Sequence, residues 1–113
     1  MSDCIFCRIV SGKAPARIVY QDEDVTAFHD LNPRAPTHIL IVPNRHIAGV
    51  DRVEEADAAL LGKLFVVARH LAEQEGVGNG YRLVINNGSL AGQSVFHLHV
   101  HLLGGRPLSW PPG

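Results

Sequence analysis

His97, His99 and His101 occupy alternate positions in the run Val95-Phe96-His97-Leu98-His99-Val100-His101-Leu102-Leu103. Imidazole titrates near neutral pH and can act as base, nucleophile or metal ligand. Leu98 and Val100 separate the three rings, and Phe96 and Leu102 flank them. Strict alternation predicts a β-strand with two unlike faces. Side chains two apart on a strand project to the same side, so the spacing predicts three imidazoles on one face and apolar residues packed on the other. Three readings of such a cluster are open. Histidines exposed on a strand surface would do nothing chemical, yet three titratable rings at strand period are the kind of cluster found at functional sites. Rings two apart can share a metal, and catalytic zinc takes three protein ligands and a water. An imidazole can also attack phosphorus or carbon, provided its tautomer is fixed and donors surround the substrate anion.

The loop before this run, Asn87-Gly88-Ser89-Leu90-Ala91-Gly92-Gln93-Ser94, offers such donors. Gly88 and Gly92 allow close backbone approach. Ser94 brings a hydroxyl, Gln93 and Asn86 bring amides, and successive backbone N–H groups can form an anion nest. That suits phosphate chemistry, although glycine-rich turns are too common to assign it alone. Cys4 and Cys7 form a CxxC pair near the start of the chain.

These residues need a scaffold. Ala16–Tyr20 and Val25–Asp30 read as two strands joined by the polar turn Gln21-Asp22-Glu23-Asp24, a hairpin. Pro33 and Pro36 mark a loop. His38–Val42 is nearly continuous apolar and β-branched, as in a strand covered on both faces, and Pro43 ends it. From Glu54 to Glu75 the period becomes helical. Leu60, Leu64, Val67 and Leu71 form a stripe that Leu61, Phe65, Ala68 and Ala72 widen, and Gly76 stops it. Tyr81–Asn86 is a further strand. Short connections between strands favour an antiparallel sheet against which the helix buries its stripe, so the class is α+β. The strand Leu83-Val84-Ile85 is too apolar for an open edge, and the helix carries apolar residues such as Phe65 and Val66 around its circumference. Both features predict a homodimer paired through this strand and the helix.

The 113 residues make one domain, 1–113, and 46% hydrophobic content suffices for a small core. Ten basic and eleven acidic residues give a net charge of −1, which leaves no footprint for nucleic acid and no polybasic membrane patch. The start, Met1-Ser2-Asp3, carries an acid early with no long apolar stretch after it, unlike a secretory signal. No apolar run has the length of a membrane span. With only two cysteines, a reducing cytoplasmic home is expected rather than a disulfide-bonded secreted one. His29 is expected to be partly exposed on the hairpin, and His70 solvated on the polar side of the helix.

Phe96-His97-Leu98-His99-Val100-His101-Leu102-Leu103 resembles the motif of the histidine triad (HIT) family. Ala27-Phe28-His29-Asp30, Pro36–Pro43, Gly80-Tyr81-Arg82, Gly92–His97, Leu103–Pro107 and Trp110-Pro111-Pro112-Gly113 are similar to its Hint branch, in order and over nearly the whole chain. The resemblance implies a HIT-like fold, with an antiparallel sheet of about five strands, one long helix and a short N-terminal helix. It also implies a homodimeric hydrolase that cleaves purine nucleoside 5′-phosphoramidates, such as adenosine 5′-monophosphoramidate or adenylated lysine, and releases the mononucleotide. A sister branch hydrolyses dinucleoside polyphosphates, and a nucleotide-sensing scaffold is a third reading. Carried over by position, His99 would be the nucleophile, and the His97 carbonyl would fix its tautomer. His101 and Ser94 would hold phosphate oxygens with the Gly92 N–H and Asn86, and His38 would complete the histidine network. Asp30 would take the ribose hydroxyls. Phe6, Ile9, Phe28 and Leu31 would form the base pocket. No cofactor is expected in catalysis. Some bacterial relatives carry a structural zinc at the positions that are Cys4, Cys7, His46 and His97 here. The Hint branch in general lacks the CxxC, and the alternative is that both thiols are small apolar residues of an N-terminal helix. The Trp110 segment would reach the partner subunit's site on its leaving-group side.

Overall fold

The computed structural model describes residues 3–113. Five antiparallel strands form one sheet: β1 (Ile18–Gln21), β2 (Val25–His29), β3 (Thr37–Pro43), β4 (Tyr81–Val84) and β5 (Val100–Gly104). Their spatial order is β1-β2-β3-β5-β4, so β3 and β5 lie inside and β4 is an edge. Helix α1 (Ile5–Val10) precedes the sheet, and the long helix α2 (Ala58–Gln74) connects β3 to β4. The expected class and element set are those observed.

Register decides which side chains meet. Phe28 pairs with Leu40, Leu40 with His101, and His38 with Leu103. Alternation therefore puts Phe28, Leu40, His38 and His101 on one face. The opposite face carries Ala27, Ile39, Ile41, Val100 and Leu102, which join Leu64, Val67, Ala68, Leu71 and Ala72 of α2 in the main core. On the histidine face, Phe6 and Ile9 of α1 pack with Phe28, Leu40 and Val42 in a second cluster. The sheet thus has a structural side under α2 and a chemical side under α1. Among the described residues, no helix is long and apolar enough to cross a membrane.

Several expectations need correction. The alternating histidine run is not one strand. β5 begins at Val100, and His97 and His99 lie on the bend before it. Continuing the pairing of Ile41 with Val100 would set Leu98 opposite Pro43, which has no N–H for the ladder. The Leu98 N–H donates to the Ile47 carbonyl instead, at 2.7 Å. Phe96 belongs to the alternation but is not packed, at 49% exposure. The helix starts four residues later than its pattern. Glu54 and Asp57 form a reciprocal capping box over a tight 3₁₀ turn, and Asp57 also pairs with Arg45. Phe65, read as part of the buried stripe, is 49% exposed beside the 54% exposed Val66. β4 ends at Val84, two residues short of the expected Asn86. His29 is half-buried and His70 exposed, as expected.

Candidate active site

The first element of the site is a hydrogen bond that leaves one nitrogen lone pair free. His99 is 7% exposed, and its Nδ1–H donates to the His97 carbonyl at 2.7 Å. A carbonyl can only accept, so the proton sits on Nδ1 and Nε2 carries the lone pair. His101 gets the opposite tautomer. The Arg34 amide donates to His38 Nδ1 at 3.0 Å, so the His38 proton sits on Nε2. That Nε2–H donates to His101 Nδ1 at 2.9 Å, which puts the His101 proton on its Nε2. His101 Nε2 is buried and lacks a hydrogen-bond partner among the described residues. An N–H left dry and unpaired costs free energy unless a ligand takes it. The His99 and His101 rings lie 4.9 Å apart between centroids, so a lone pair and a donor stand side by side. Burial is the main cause that lowers the pKa of His38, and it also pushes His101 down to about 4, against the raising influence of Asp30. Both rings are neutral at pH 7.

An apolar cavity of about 240 Å³ opens beside this pair, lined by Phe6, Ile9, Phe28, Leu31 and Asp30 among others. All four expected base-pocket residues therefore meet in one place. Phe6 stands edge-on to Phe28 at 5.4 Å and to His99 at 5.1 Å, so the cavity wall touches the free imidazole. Leu31 is 92% exposed and forms a rim rather than a floor. The Asp30 carboxylate lies 3.5 Å from His38 Nε2, at the seam between cavity and histidines. Ile5, Pro15, Ala16, His29 and Leu40 complete the lining, and the sequence did not mark them as pocket residues. Leu40 joins the cavity because it pairs with Phe28 across β2 and β3, a register that the hairpin of β1 and β2 does not set.

The glycine loop is built differently from the expectation. The Gly92 N–H, expected on phosphate, donates to the Ser89 carbonyl at 3.0 Å. The Ala91 and Gln93 amides donate to the Gly88 carbonyl, and the Gly88 amide to Gln93 Oε1. A short 3₁₀ turn, Ser89–Ala91, thus consumes the amides that would have made an anion nest, and Gly92 closes it at φ 96°. Gln93 is buried and donates to the Ala48 and Val95 carbonyls, so it braces the loop instead of reaching outward. Ser94 is exposed and Asn86 half-buried at the two ends of the loop.

A second constellation sits behind the first. Cys4 Sγ and Cys7 Sγ lie 3.4 and 3.6 Å from His97 Nδ1, and Cys7 Sγ is 3.4 Å from His46 Nδ1. All four ligand atoms lie within 4.8 Å of one another. A tetrahedral zinc with bonds of about 2.0–2.3 Å sets its ligands about 3.6 Å apart, so the spacing fits. The tautomer fits too. His97 Nε2–H donates to the Pro43 carbonyl at 2.8 Å, which leaves Nδ1 as the coordinating lone pair. Burial lowers the His97 pKa to about 4, so the ring is neutral as a ligand must be. Asp30, His38 and His101 also converge, but His38 carries its proton on the inward nitrogen, which disfavours a cation there.

The chain matches the HIT domain model over residues 11–108. It belongs to the HIT family. Relatives of this HIT protein include an uncharacterized HIT-like protein of Synechocystis sp., 50% identical over 98% of this chain and 97% of that one. A 14 kDa zinc-binding protein of Zea mays is 51% identical over 99% and 89%. The crystal structure of a HIT family hydrolase from Legionella pneumophila superposes with a TM-score of 0.97 at 48% identity, covering 98% of this chain and 100% of that one. A histidine triad protein from Clostridium difficile gives 0.93 at 41%, covering 96% of each.

Proposed function

We propose that this HIT protein is a cytoplasmic purine nucleoside phosphoramidate hydrolase of the Hint branch. The observation that carries the reading is the His99 tautomer, with Nε2 left free on a ring that touches Phe6 of the apolar cavity, and a carboxylate at the seam between cavity and histidines. A purine would pack in the cavity against Phe6, Ile9 and Phe28, and Asp30 would accept from both ribose hydroxyls. Apolar packing reads little of the base edge, which suits tolerance among purines. The α-phosphate would then lie against His99, with the His101 Nε2–H and Ser94 hydroxyl donating to its oxygens. His99 Nε2 attacks phosphorus, the P–N bond breaks, and the amine leaves with its electron pair and takes up a proton. Water then attacks the nucleotidyl-histidine at phosphorus, releases the mononucleotide and returns His99 to its starting state.

The test is mass spectrometry of the protein quenched during reaction with adenosine 5′-monophosphoramidate. The expected result is a nucleotidyl adduct on His99. Turnover without any adduct, at the shortest quench times, would reject the covalent route. An AMP complex that never turns over would favour a nucleotide sensor instead.

Cys4, Cys7, His46 and His97 would hold a zinc ion, which supplies a cross-link among α1, the segment after β3 and the histidine bend. No step at phosphorus passes through it.

We also propose the homodimer. β4 is an open edge, and Ile85, Phe65 and Val66 leave apolar surface exposed near it in sequence or on α2. The Arg82 guanidinium on β4 donates to the Ser109 carbonyl at 2.8 Å, which ties the tail to the proposed interface. Trp110 beyond it is 81% exposed and free to meet the partner subunit. Deleting residues 109–113 should change relative rates across a series of leaving amines more than it changes AMP affinity. Unchanged relative rates, or a fully active monomer in sedimentation at micromolar concentration, would reject this arrangement.

A further inference from the structure

We propose that the Cys4–Cys7–His46–His97 cluster positions the nucleotide site, so that metal and nucleotide bind cooperatively. The inference rests on the nucleotide and metal assignments above and goes beyond both. His97 is fully buried and held at three points. Its ring Nε2 is fixed by Pro43, its Nδ1 faces the thiols, and its backbone carbonyl holds the proton of His99. Any freedom of residue 97 is therefore handed directly to the free imidazole. The second link is Phe6, which falls between the two cysteines in sequence. Its ring stands edge-on to His97 at 5.8 Å and to His99 at 5.1 Å, and it lines the apolar cavity. Helix α1 has only six residues, too few to hold itself by its own hydrogen bonds. Filling the four ligand positions joins α1, His46 and His97 at one point, so the cavity wall and the carbonyl that orients His99 are fixed together. In the unfilled state a nucleotide must order both itself. Cys4, Cys7, His46 and the His97 ring are thus positioning residues, acting through Phe6 and the His97 carbonyl.

Coupling of this kind is reciprocal. Calorimetric titration with AMP should give a dissociation constant about tenfold weaker for metal-stripped than for zinc-loaded protein. Competition titration with a zinc chelator should give zinc about tenfold tighter at saturating AMP, by the same factor. His46 does not line the cavity. His46→Ala should behave like stripped protein, whereas His46→Cys, which keeps a ligand, should behave like the loaded form. Near-UV circular dichroism reports whether the stripped protein is folded. Should it unfold, the cobalt-loaded protein carries the test: AMP should shift the thiolate-to-cobalt absorption, and an unmoved spectrum at saturating AMP overturns the coupling. Equal AMP affinity in zinc-loaded and folded stripped protein overturns it also, while the nucleotide reading stands. Failure of AMP to bind either form overturns both.

Discussion

Replacing His99 with asparagine is expected to lower turnover of a nucleoside phosphoramidate by about 10⁴-fold or more, with AMP affinity nearly unchanged. Asparagine can still donate toward the His97 carbonyl, so the local hydrogen bond survives the loss of the nucleophile. It has no basic lone pair, so the attack on phosphorus has no substitute. The cavity under α1 does not depend on the His99 ring for its floor, because Phe6, Ile9, Phe28 and Leu40 pack with one another. The loss should therefore fall on kcat and spare equilibrium binding. Single-turnover kinetics alongside calorimetry separates the two, and a variant that keeps near wild-type turnover removes His99 from the nucleophile's role.

The second large effect is on stability in acid. His101 is held down to about 4 by burial first and by its histidine neighbours next, and burial lowers His38 as well. An unfolded histidine titrates near 6.5, so the unfolded chain takes up protons before the folded one does. The contribution is complete above that pH and is lost as pH falls toward about 4. For His101 alone this amounts to at most about 3 kcal/mol between pH 7 and pH 4. Urea unfolding across this range should show the midpoint falling with acid, and His101→Gln should flatten the slope. Parallel loss in both proteins would mean that the acid sensitivity lies elsewhere.

The sheet, the long helix and the apolar side of the molecule were legible because they rest on periodicity. Leu64, Val67 and Leu71 repeat as a helix must, and the alternation of Leu98, Val100 and Leu102 survives as a buried face. The histidine bend was not legible as a bend, because alternation continues through it while the ladder does not. What ends the ladder is a proline on a different strand, a long-range pairing fact that local pattern does not contain. The glycine loop misled for a related reason. Its composition suits an anion nest, but a 3₁₀ turn uses the same amides, and only the fold decides between them. The four-ligand cluster was legible through family resemblance, and through the CxxC in part. That His97 offers the correct nitrogen depends on the Pro43 carbonyl, and nothing in the sequence places it there.

The series from the Arg34 amide through His38 to His101 has a direction. Each member donates a hydrogen bond to the next, and the first is a peptide amide, which can neither release its proton nor accept another at ordinary pH. The line can therefore polarise but cannot conduct. Once His101 surrendered its Nε2 proton, nothing upstream could refill it, so His101 steers charge at phosphorus as a fixed dipole. The proton that leaves with the amine has to arrive with the substrate or from water on the open side of the cavity. Heavy-water measurements should then report solvent at the leaving group, and His38 should matter as the part that keeps the dipole from reversing.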